Sequence, residues 1–281
     1  MRILAIGDFH GKFPDKLKRE ARKSDLILCT GDFANADKIR KIIFKNWVDK
    51  KWYEAVGQKK AYRLEKDSFD SGLKVLKEIN KLNKKCYLVW GNTDFYKEYG
   101  RSEPSEIIPG YYNRKIRKMK NLVLVDRKKK KINGIDLIGF GGYVDVTDFI
   151  KYPVDKNKKE QKEREKRYND YAKKLYRLFS KYKPEKNFIF LIHYPPYKIM
   201  DKIKYKGSPM NKKRGGFLPY NKIIKKYKPL LVVNGHMHEY QGKCKIGKTI
   251  VVNPGLAQAG KAAMIEVDEK AKKVKSVKFI R

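Results

Sequence analysis

The four histidines of the chain share one position relative to its apolar segments. Each lies in a polar turn just after a short apolar run, and the sequence has no other histidine: His10, His193, His236 and His238. Neutral imidazole is a common metal ligand in proteins. Asp8 and His10 are two residues apart, as are His236 and His238, so on an extended segment both side chains of a pair would point the same way. The pattern indicates a metal centre, with each pair able to hold one ion or two adjacent ions.

Oxygen ligands are offered by the turns after the second and third apolar runs. Residues 26–30 lead into Gly31 and Asp32, and residues 87–90 lead into Gly91 and Asn92. A carboxylate has two oxygens, so Asp32 could bridge two cations. Mixed imidazole and oxygen ligands favour a first-row ion such as manganese, iron or zinc over calcium, which takes oxygen ligands only. The alternative, that these aspartates only cap turns, is disfavoured because the whole set occurs in one chain.

In their order and spread, these segments resemble the motif set of the calcineurin-like metallophosphoesterases. The resemblance runs from residue 1 to about residue 267 and rests on 7–10, 31–32, 91–92, His193 and 235–238. Residues 252–255 also resemble a segment that follows the paired histidines in many members, and 193–196 and 228–233 resemble prokaryotic members. It implies that one metal takes Asp8, His10, Asp32 and His238, that the other takes Asp32, Asn92, His193 and His236, and that Asp32 bridges them.

The same resemblance implies a fold and a reaction. The fold is of the α/β class, a four-layer α/β/β/α sandwich of the metallophosphoesterase type. The reaction is hydrolysis of phosphate esters by a hydroxide that two metal ions activate. The cofactors would be two divalent ions, manganese, iron, zinc, nickel or cobalt, with manganese favoured. The catalytic residues would be Asp8, His10, Asp32, Asn92 and His193.

Thr93 departs from the family pattern, because many members have a histidine there that assists the leaving group. A threonine hydroxyl is a poor general acid near neutral pH. A missing proton donor matters least when the leaving group is good, so we expect a slight preference for phosphodiesters. Asp94 matches a position that is often acidic in the family, where it would orient its neighbours.

The formal net charge of +38 keeps other partners open. Such a field attracts anionic substrates, including nucleotides and nucleic acids, and a metal-dependent nuclease acting on DNA or RNA is the alternative enzyme. Genome base composition or a hot habitat would explain the same charge equally well. A non-catalytic scaffold with the same fold is a further alternative, disfavoured because every ligand position is retained. Metal content would separate a scaffold from an enzyme.

Alternation of apolar runs and polar turns predicts the elements that carry these residues. Strands are expected at 2–6, 26–30, 87–90, 136–140, 188–192, 230–234, 249–253, 262–267 and 275–280. Amphipathic spacing predicts helices at 70–83 and 156–183, the second ended by Pro184. Residues 36–66, 96–119 and 202–216 are expected to be insertions or loops. We expect one metallophosphoesterase domain over 1–281, with lysine-rich insertions near 36–66, 96–119 and 151–184.

Cysteine usage and hydropathy bear on the compartment. Cys29, Cys86 and Cys244 are not at metal-ligand or redox spacing. No apolar stretch approaches the roughly 20 residues that cross a bilayer, and the first strand is expected to begin at residue 2. We therefore expect a reducing, cytoplasmic location without a membrane partner. The oligomeric state is left open.

Overall fold

A computed structural model describes residues 1–46, 52–94, 111–153, 155, 157–208 and 210–281. Within these residues the chain forms strands β1 (Arg2–Ile6), β2 (Leu26–Cys29), β3 (Cys86–Leu88), β4 (Leu122–Leu124), β5 (Lys129–Ile132), β6 (Ile135–Phe140), β7 (Ile189–Ile192), β8 (Leu231–Val233), β9 (Gly242–Ile246), β10 (Thr249–Asn253), β11 (Ala262–Asp268) and β12 (Lys273–Ile280). The helices are α1 (Asp15–Arg22), α2 (Asp37–Lys45), α3 (Trp52–Val56), α4 (Gln58–Asn80), α5 (Tyr111–Ile116), α6 (Thr147–Lys151), α7 (Lys158–Tyr182) and α8 (Leu218–Tyr227).

The strands form two six-stranded sheets. The first has the order β12-β11-β1-β2-β3-β4, and the second has the order β5-β6-β7-β8-β10-β9. Strands β1 to β4 are parallel to one another, as are β6, β7, β8 and β10. The antiparallel pairs are β1 with β11, β11 with β12, β5 with β6 and β9 with β10. Parallel strands place their carboxyl ends at one edge, where ligand sites of α/β sheets usually lie.

The apolar runs are continuous because both faces of each sheet are covered. In β1, Ile3 and Ala5 join a core between the two sheets, where they meet residues such as Leu191 of β7. Their neighbours Leu4 and Ile6 point to the other face, toward the outer helices. Successive side chains of a strand point to opposite faces, so an all-apolar strand is the expected sequence of a central layer.

Helices cover the outer face of each sheet. Helices α1, α4 and α5 pack on the first sheet through residues such as Leu17 and Leu76, and α7 and α8 pack on the second through residues such as Phe179 and Ile223. This arrangement confirms the predicted four-layer α/β/β/α sandwich. Among the described helices, none combines the length and apolar composition needed to cross a membrane.

The predicted strands all occur, with ends shifted by no more than two residues. Several elements were missed, namely β4, β5, β9, α1, α5, α6 and α8. Of the two alternatives for 36–66, an insertion or a loop, the loop was wrong, because this region contains α2, α3 and the first residues of α4. Helix α4 begins at Gln58 and ends at Asn80, so it includes residues 70–80 of the helix predicted at 70–83. The early part of this region is helical because Ile39, Trp52 and Ala61 bury one another in a small separate core.

The structure bears in different ways on the predictions for 96–119, 202–216 and 156–183. Residues 96–110 of the predicted 96–119 insertion or loop lie outside the described residues, and 111–116 form α5. The described part of 202–216 contains no helix or extended strand. The predicted helix at 156–183 is confirmed as α7, which ends in a left-handed residue at Lys183 directly before Pro184.

Candidate metal centre

The seven residues singled out from the sequence lie at the carboxyl ends of five strands from both sheets. Asp8 and His10 follow β1, Asp32 follows β2 and Asn92 follows β3, while His193 follows β7 directly and His236 and His238 follow β8. Asp8, His10, Asp32 and His193 are each no more than 2% exposed. The two sheets therefore bring together residues that are up to 230 positions apart in the chain.

The expectation of extended backbone at the paired ligands was wrong. Asp8, His10, Asp32 and His236 all have left-handed backbone, with φ of 58°, 43°, 56° and 68°. This conformation costs an L-residue roughly 1–2 kcal/mol. Each chain segment turns sharply as it leaves its strand, and this turn directs the side chain toward the neighbouring strand ends. The members of each pair still converge, but through tight turns.

Two glycines allow the second and third turns to approach each other. A side chain at Gly31, whose φ is 101°, would overlap the backbone of Gly91. A side chain at Gly91 would overlap the Asp32 carboxylate. The Gly31-Asp32 and Gly91-Asn92 sequences therefore reflect close backbone contact as well as turn geometry.

The first group of potential ligands is formed by Asp8, His10, Asp32 and His238. One ligand atom from each residue lies within 4.8 Å of all the others. The Nε2 atoms of His10 and His238 are 2.9 Å apart, and His238 Nε2 is 3.6 Å from Asp8 Oδ1. Two ring nitrogens and two carboxylates thus surround one point.

The second group shares Asp32 with the first. Asp32, His193 and His236 also place ligand atoms within 4.8 Å of one another, and His193 Nε2 is 3.5 Å from Asp32 Oδ1. Asn92 completes this group, because its Oδ1 lies 2.8 Å from His193 Nε2 and 2.8 Å from His236 Nδ1. Asp32 is therefore the residue that joins two adjacent sites.

The proton positions within the second group fit a cation. His193 Nδ1 is 2.8 Å from the Thr30 carbonyl oxygen, which can only accept, so Nδ1 carries the proton. A ring with a single proton at Nδ1 has a lone pair at Nε2, and this atom faces the amide oxygen of Asn92. Two electron-pair donors 2.8 Å apart repel each other unless a positive ion lies against both. The mixture of imidazole, carboxylate and amide ligands is one that first-row divalent metals accept.

Other contacts fix the orientation of the ligands. The backbone N–H of His236 donates to both carboxylate oxygens of Asp8, at 3.0 and 3.1 Å. The backbone N–H of Thr93 donates to Asp32 Oδ1 at 2.9 Å. Such contacts from outside the ligand set hold the side chains in place before a metal binds.

Burial and neighbouring charges set the protonation of the ligands. Burial lowers the pKa of His10 and, more strongly, the pKa of His236, so both rings are kept in the neutral form that binds metal. Burial would raise the pKa of Asp8, but the contact with His238 and the other nearby rings bring it well below its ordinary value. Burial would likewise lower the pKa of His238, yet the Asp8 carboxylate raises it overall.

Asp94 links the turns after β2 and β3. Its carboxylate accepts four backbone N–H bonds, from Asp32, Phe33, Ala34 and Gly91, at 2.8 to 3.1 Å. Burial, followed by the charge of Asp32, raises the pKa of Asp94 to about 7, although the N–H groups of Gly91, Ala34 and Phe33 act in the opposite direction. Its place beside the ligands agrees with the expectation that an acidic residue here orients its neighbours.

Thr93 offers little to a leaving group. Its hydroxyl donates to the carbonyl oxygen of Ala34 at 3.3 Å, and the residue is 7% exposed.

The sequence interpretation gave no role to two other residues at the centre. The ring of Tyr194 lies over that of His236 with centroids 3.9 Å apart. Arg40 of α2 lines the same cavity as the ligands. The sequence could not predict the position of Arg40, because α2 lies in a segment that was expected to be an insertion or a loop. Tyr194 directly follows the candidate ligand His193, so its place near the centre could have been predicted.

Comparisons with known proteins agree with this geometry. A family model described as calcineurin-like phosphoesterase matches residues 1–240. An uncharacterized protein of Methanocaldococcus jannaschii, MJ1162, is 25% identical over 258 residues, which cover 90% of this chain and 88% of that protein.

Two solved structures are similar in fold. A dimetal phosphatase from Danio rerio gives a TM-score of 0.54 at 10% identity, covering 100% of this chain and 96% of its own. The phosphopantetheinyl hydrolase PptH from Mycobacterium tuberculosis gives a TM-score of 0.53 at 12% identity, covering 91% and 90%.

Proposed function

The chain belongs to the calcineurin-like phosphoesterase family, and we propose that it is a metal-dependent hydrolase of phosphate esters with a dinuclear centre. The observation that carries this proposal is the pair of adjacent ligand groups that share Asp32. A cluster of buried imidazoles and carboxylates with facing lone pairs is unfavourable without cations, and one shared carboxylate suits two ions rather than one.

We assign the ligands as follows. One ion takes Asp8, His10, Asp32 and His238, and the other takes Asp32, Asn92, His193 and His236. Manganese, iron, zinc, nickel and cobalt all accept such ligands, and we favour manganese. When bound, two such cations polarise a phosphate and an attacking water and stabilise the charge that develops during displacement at phosphorus.

The chain's own residues would hold and orient this machinery. Thr30 fixes the ring of His193 through its carbonyl oxygen, and Thr93 fixes Asp32 through its N–H group. The Asp94 carboxylate accepts hydrogen bonds from the backbone N–H groups of Asp32 and Gly91 and so holds these two turns together. These contacts support a ligand set that is already arranged, so little reorganisation is needed when substrate arrives.

The surroundings of Thr93 support a preference among substrates. Its hydroxyl is committed to Ala34 and its pKa is far from neutrality, so it would not protonate a leaving alkoxide. We therefore propose that phosphodiesters with good leaving groups are cleaved better than unactivated esters.

The proposed activity is tested with bis(4-nitrophenyl) phosphate and metal-depleted protein. We expect no turnover after exhaustive chelation and restored turnover when a divalent first-row metal is added back, with manganese the best. The Asp67→Asn protein, altered on the exposed face of α4, is a matched control that should behave as the unmodified protein. Full activity in protein shown by elemental analysis to be free of metal would contradict the proposal.

A further inference from the structure

The metal centre opens into one side of a cavity of about 530 Å³. His10, Asp32 and Asn92 line the end of the cavity at the metal centre, and the remaining wall comes from three other parts of the chain. The volume lies within the range of about 300–1,000 Å³ that is usual for small-molecule sites. A phosphate held at the metal centre would therefore have its ester group inside this cavity.

The wall away from the ligands is mostly apolar. Ile39 and Ile43, one helical turn apart, contribute from α2, Val144 and Val146 from the segment after β6, and Met210 from the segment before α8. Ile43 is half-buried and accessible to a ligand, whereas Ile39, Val144 and Met210 are at most 2% exposed and form the wall behind it. This surface would bury an aliphatic group and gain the free energy of removing it from water.

Two aromatic residues extend the apolar wall. Phe44 of α2 and Tyr205 of the segment before α8 approach each other with ring centroids 5.9 Å apart. Both residues line the cavity. An apolar surface thus continues across two parts of the chain that are far apart in sequence.

The charges of the lining argue against a polyanionic substrate. Among the described lining residues, the basic side chains are Arg40 and Lys204, and the carboxylates are Asp32, Asp37 and Glu239. Arg40 is paired with Asp37 on the same helix, and the backbone N–H of Lys204 donates to Glu239 at 3.1 Å. Among the described lining residues the net charge of +38 is therefore not concentrated, although a nucleic-acid groove would need it there.

A nucleoside would also fit this wall poorly. A base and a ribose carry several hydrogen-bonding groups that lose water on entering a cavity. Polar side chains such as Ser208 and Glu239 also line the cavity, but against Ile39, Val144 and Met210 those groups would have no protein partner, which opposes binding there. An apolar chain loses nothing of this kind.

From these observations we propose that the substrate is a phosphate ester whose esterified alcohol carries an extended apolar chain, which lies along Ile39, Ile43 and Val146. The inference rests on the proposed phosphoesterase function and names its substrate class. The metal centre would bind the phosphate, and the apolar wall would select the alcohol.

The test uses 4-nitrophenyl alkyl phosphodiesters with methyl, butyl and octyl groups, each below its micelle concentration. The leaving group is the same throughout, so only binding of the alkyl chain differs. We expect kcat/KM to rise by about threefold to fourfold per methylene while the chain is being buried. Thymidine 5′-(4-nitrophenyl) phosphate, tested in parallel, should be cleaved less well than the octyl ester.

A matched pair of variants locates the effect. Ile43 lines the cavity, whereas Ile42 is its neighbour on α2, is similarly half-buried and does not line it. Ile43→Gln should reduce the dependence of kcat/KM on chain length by at least threefold between butyl and octyl. Ile42→Gln should keep the dependence of the unmodified protein. Both changes have the same size and polarity.

A binding measurement gives a readout that does not depend on turnover. Titration calorimetry with ethyl, butyl and octyl phosphonate, which have no ester bond to cleave, should show affinity rising with chain length in the unmodified protein and less so in Ile43→Gln.

The possible results of these experiments lead to three different conclusions. If no ester is cleaved with any metal, the proposed function fails. If esters are cleaved but neither kcat/KM nor phosphonate affinity rises with chain length, the apolar-chain inference is wrong. If the thymidine ester is the better substrate, the inference is wrong in favour of a nucleotide.

Discussion

At the scale of single residues, the convergence of the candidate ligands was predictable and their backbone conformation was not. Histidines confined to the turns after apolar strands are unusual enough to indicate a shared centre, and the structure brings all four together with Asp8, Asp32 and Asn92. The left-handed conformation at Asp8 and His236 has no sequence signal, because aspartate and histidine also occupy ordinary conformations. Those turns depend on the close approach of neighbouring strand ends.

The protonation of His238 and His236 predicts an order of metal release. A protonated imidazole cannot bind metal, and metal affinity falls as protons compete. The pKa of His238 is raised above its ordinary value of 6.5, and the pKa of His236 is far below it. As pH falls, His238 therefore takes up a proton before His236 does. The ion shared with His10 should therefore leave before the ion shared with His193.

Electron paramagnetic resonance of the dimanganese protein would detect this order. Between pH 8 and pH 5 we expect the spectrum of coupled ions to be replaced by that of a single ion, with about half of the metal retained after dialysis. Release of both ions at one pH would contradict the assigned difference between the two histidines.

At the scale of elements, burial decides what the sequence reveals. Strand β1 was predicted within its observed limits because both of its faces are covered. Strand β5 reads Lys-Lys-Lys-Ile, and it is a strand only because it pairs with β6 at the edge of the sheet. The start of α4 was missed for a related reason. Its apolar residues pack on α2 and α3, a small core that is itself not evident from the sequence.

A buried ion-pair network joins α7 to the cavity wall. Asp145, 1% exposed, accepts from Arg164 at 2.8 Å and from Arg167 at 2.9 Å, and Arg164 also pairs with Asp155. Burial opposes the charge of Arg164, but Asp155 and the other nearby acidic groups raise its pKa overall. Asp145 stands between Val144 and Val146, so the network holds the segment that forms part of the apolar wall.

Removing one charge from this network should lower the free energy of unfolding. Asp145→Asn leaves Arg164 buried with one carboxylate partner fewer, and breaking such a pair costs about 3–5 kcal/mol. We expect the free energy of unfolding in urea to fall by about 3 kcal/mol. Glu163→Gln, on the exposed face of α7, is the control and should change it by less than about 0.5 kcal/mol. Equal stability of the two variants would show that the network does not hold α7 in place.

At the scale of the whole molecule, the net charge and the residues that line the cavity indicate different partners. The net charge of +38 suggested nucleic acid as a partner, whereas the described cavity lining carries three carboxylates and two basic side chains besides its histidines. Lysines spread over a surface bind polyanions without placing them at the metal centre. The sequence could predict the total charge but not its distribution, which depends on the fold. Within this fold we propose a single domain, with the lysine-rich segments as insertions.

This view predicts that DNA binding and ester cleavage are independent. Binding of duplex DNA should weaken steeply with salt, by about 10³–10⁵ between 50 and 200 mM if 6–10 phosphates are contacted. Cleavage of 4-nitrophenyl octyl phosphate should hardly change over that range and should not be inhibited by DNA at 50 mM salt. Competitive inhibition by DNA would place nucleic acid in the active site and support the nuclease alternative.

The central claim is a dinuclear centre bridged by Asp32, and anomalous X-ray diffraction from crystals grown with manganese tests it most directly. Data collected above the manganese absorption edge should show two peaks per chain, about 3.5–4 Å apart. One peak should lie among Asp8, His10 and His238, the other among Asn92, His193 and His236, with the Asp32 carboxylate between them. A single peak at full occupancy, or two peaks without Asp32 between them, would contradict the account.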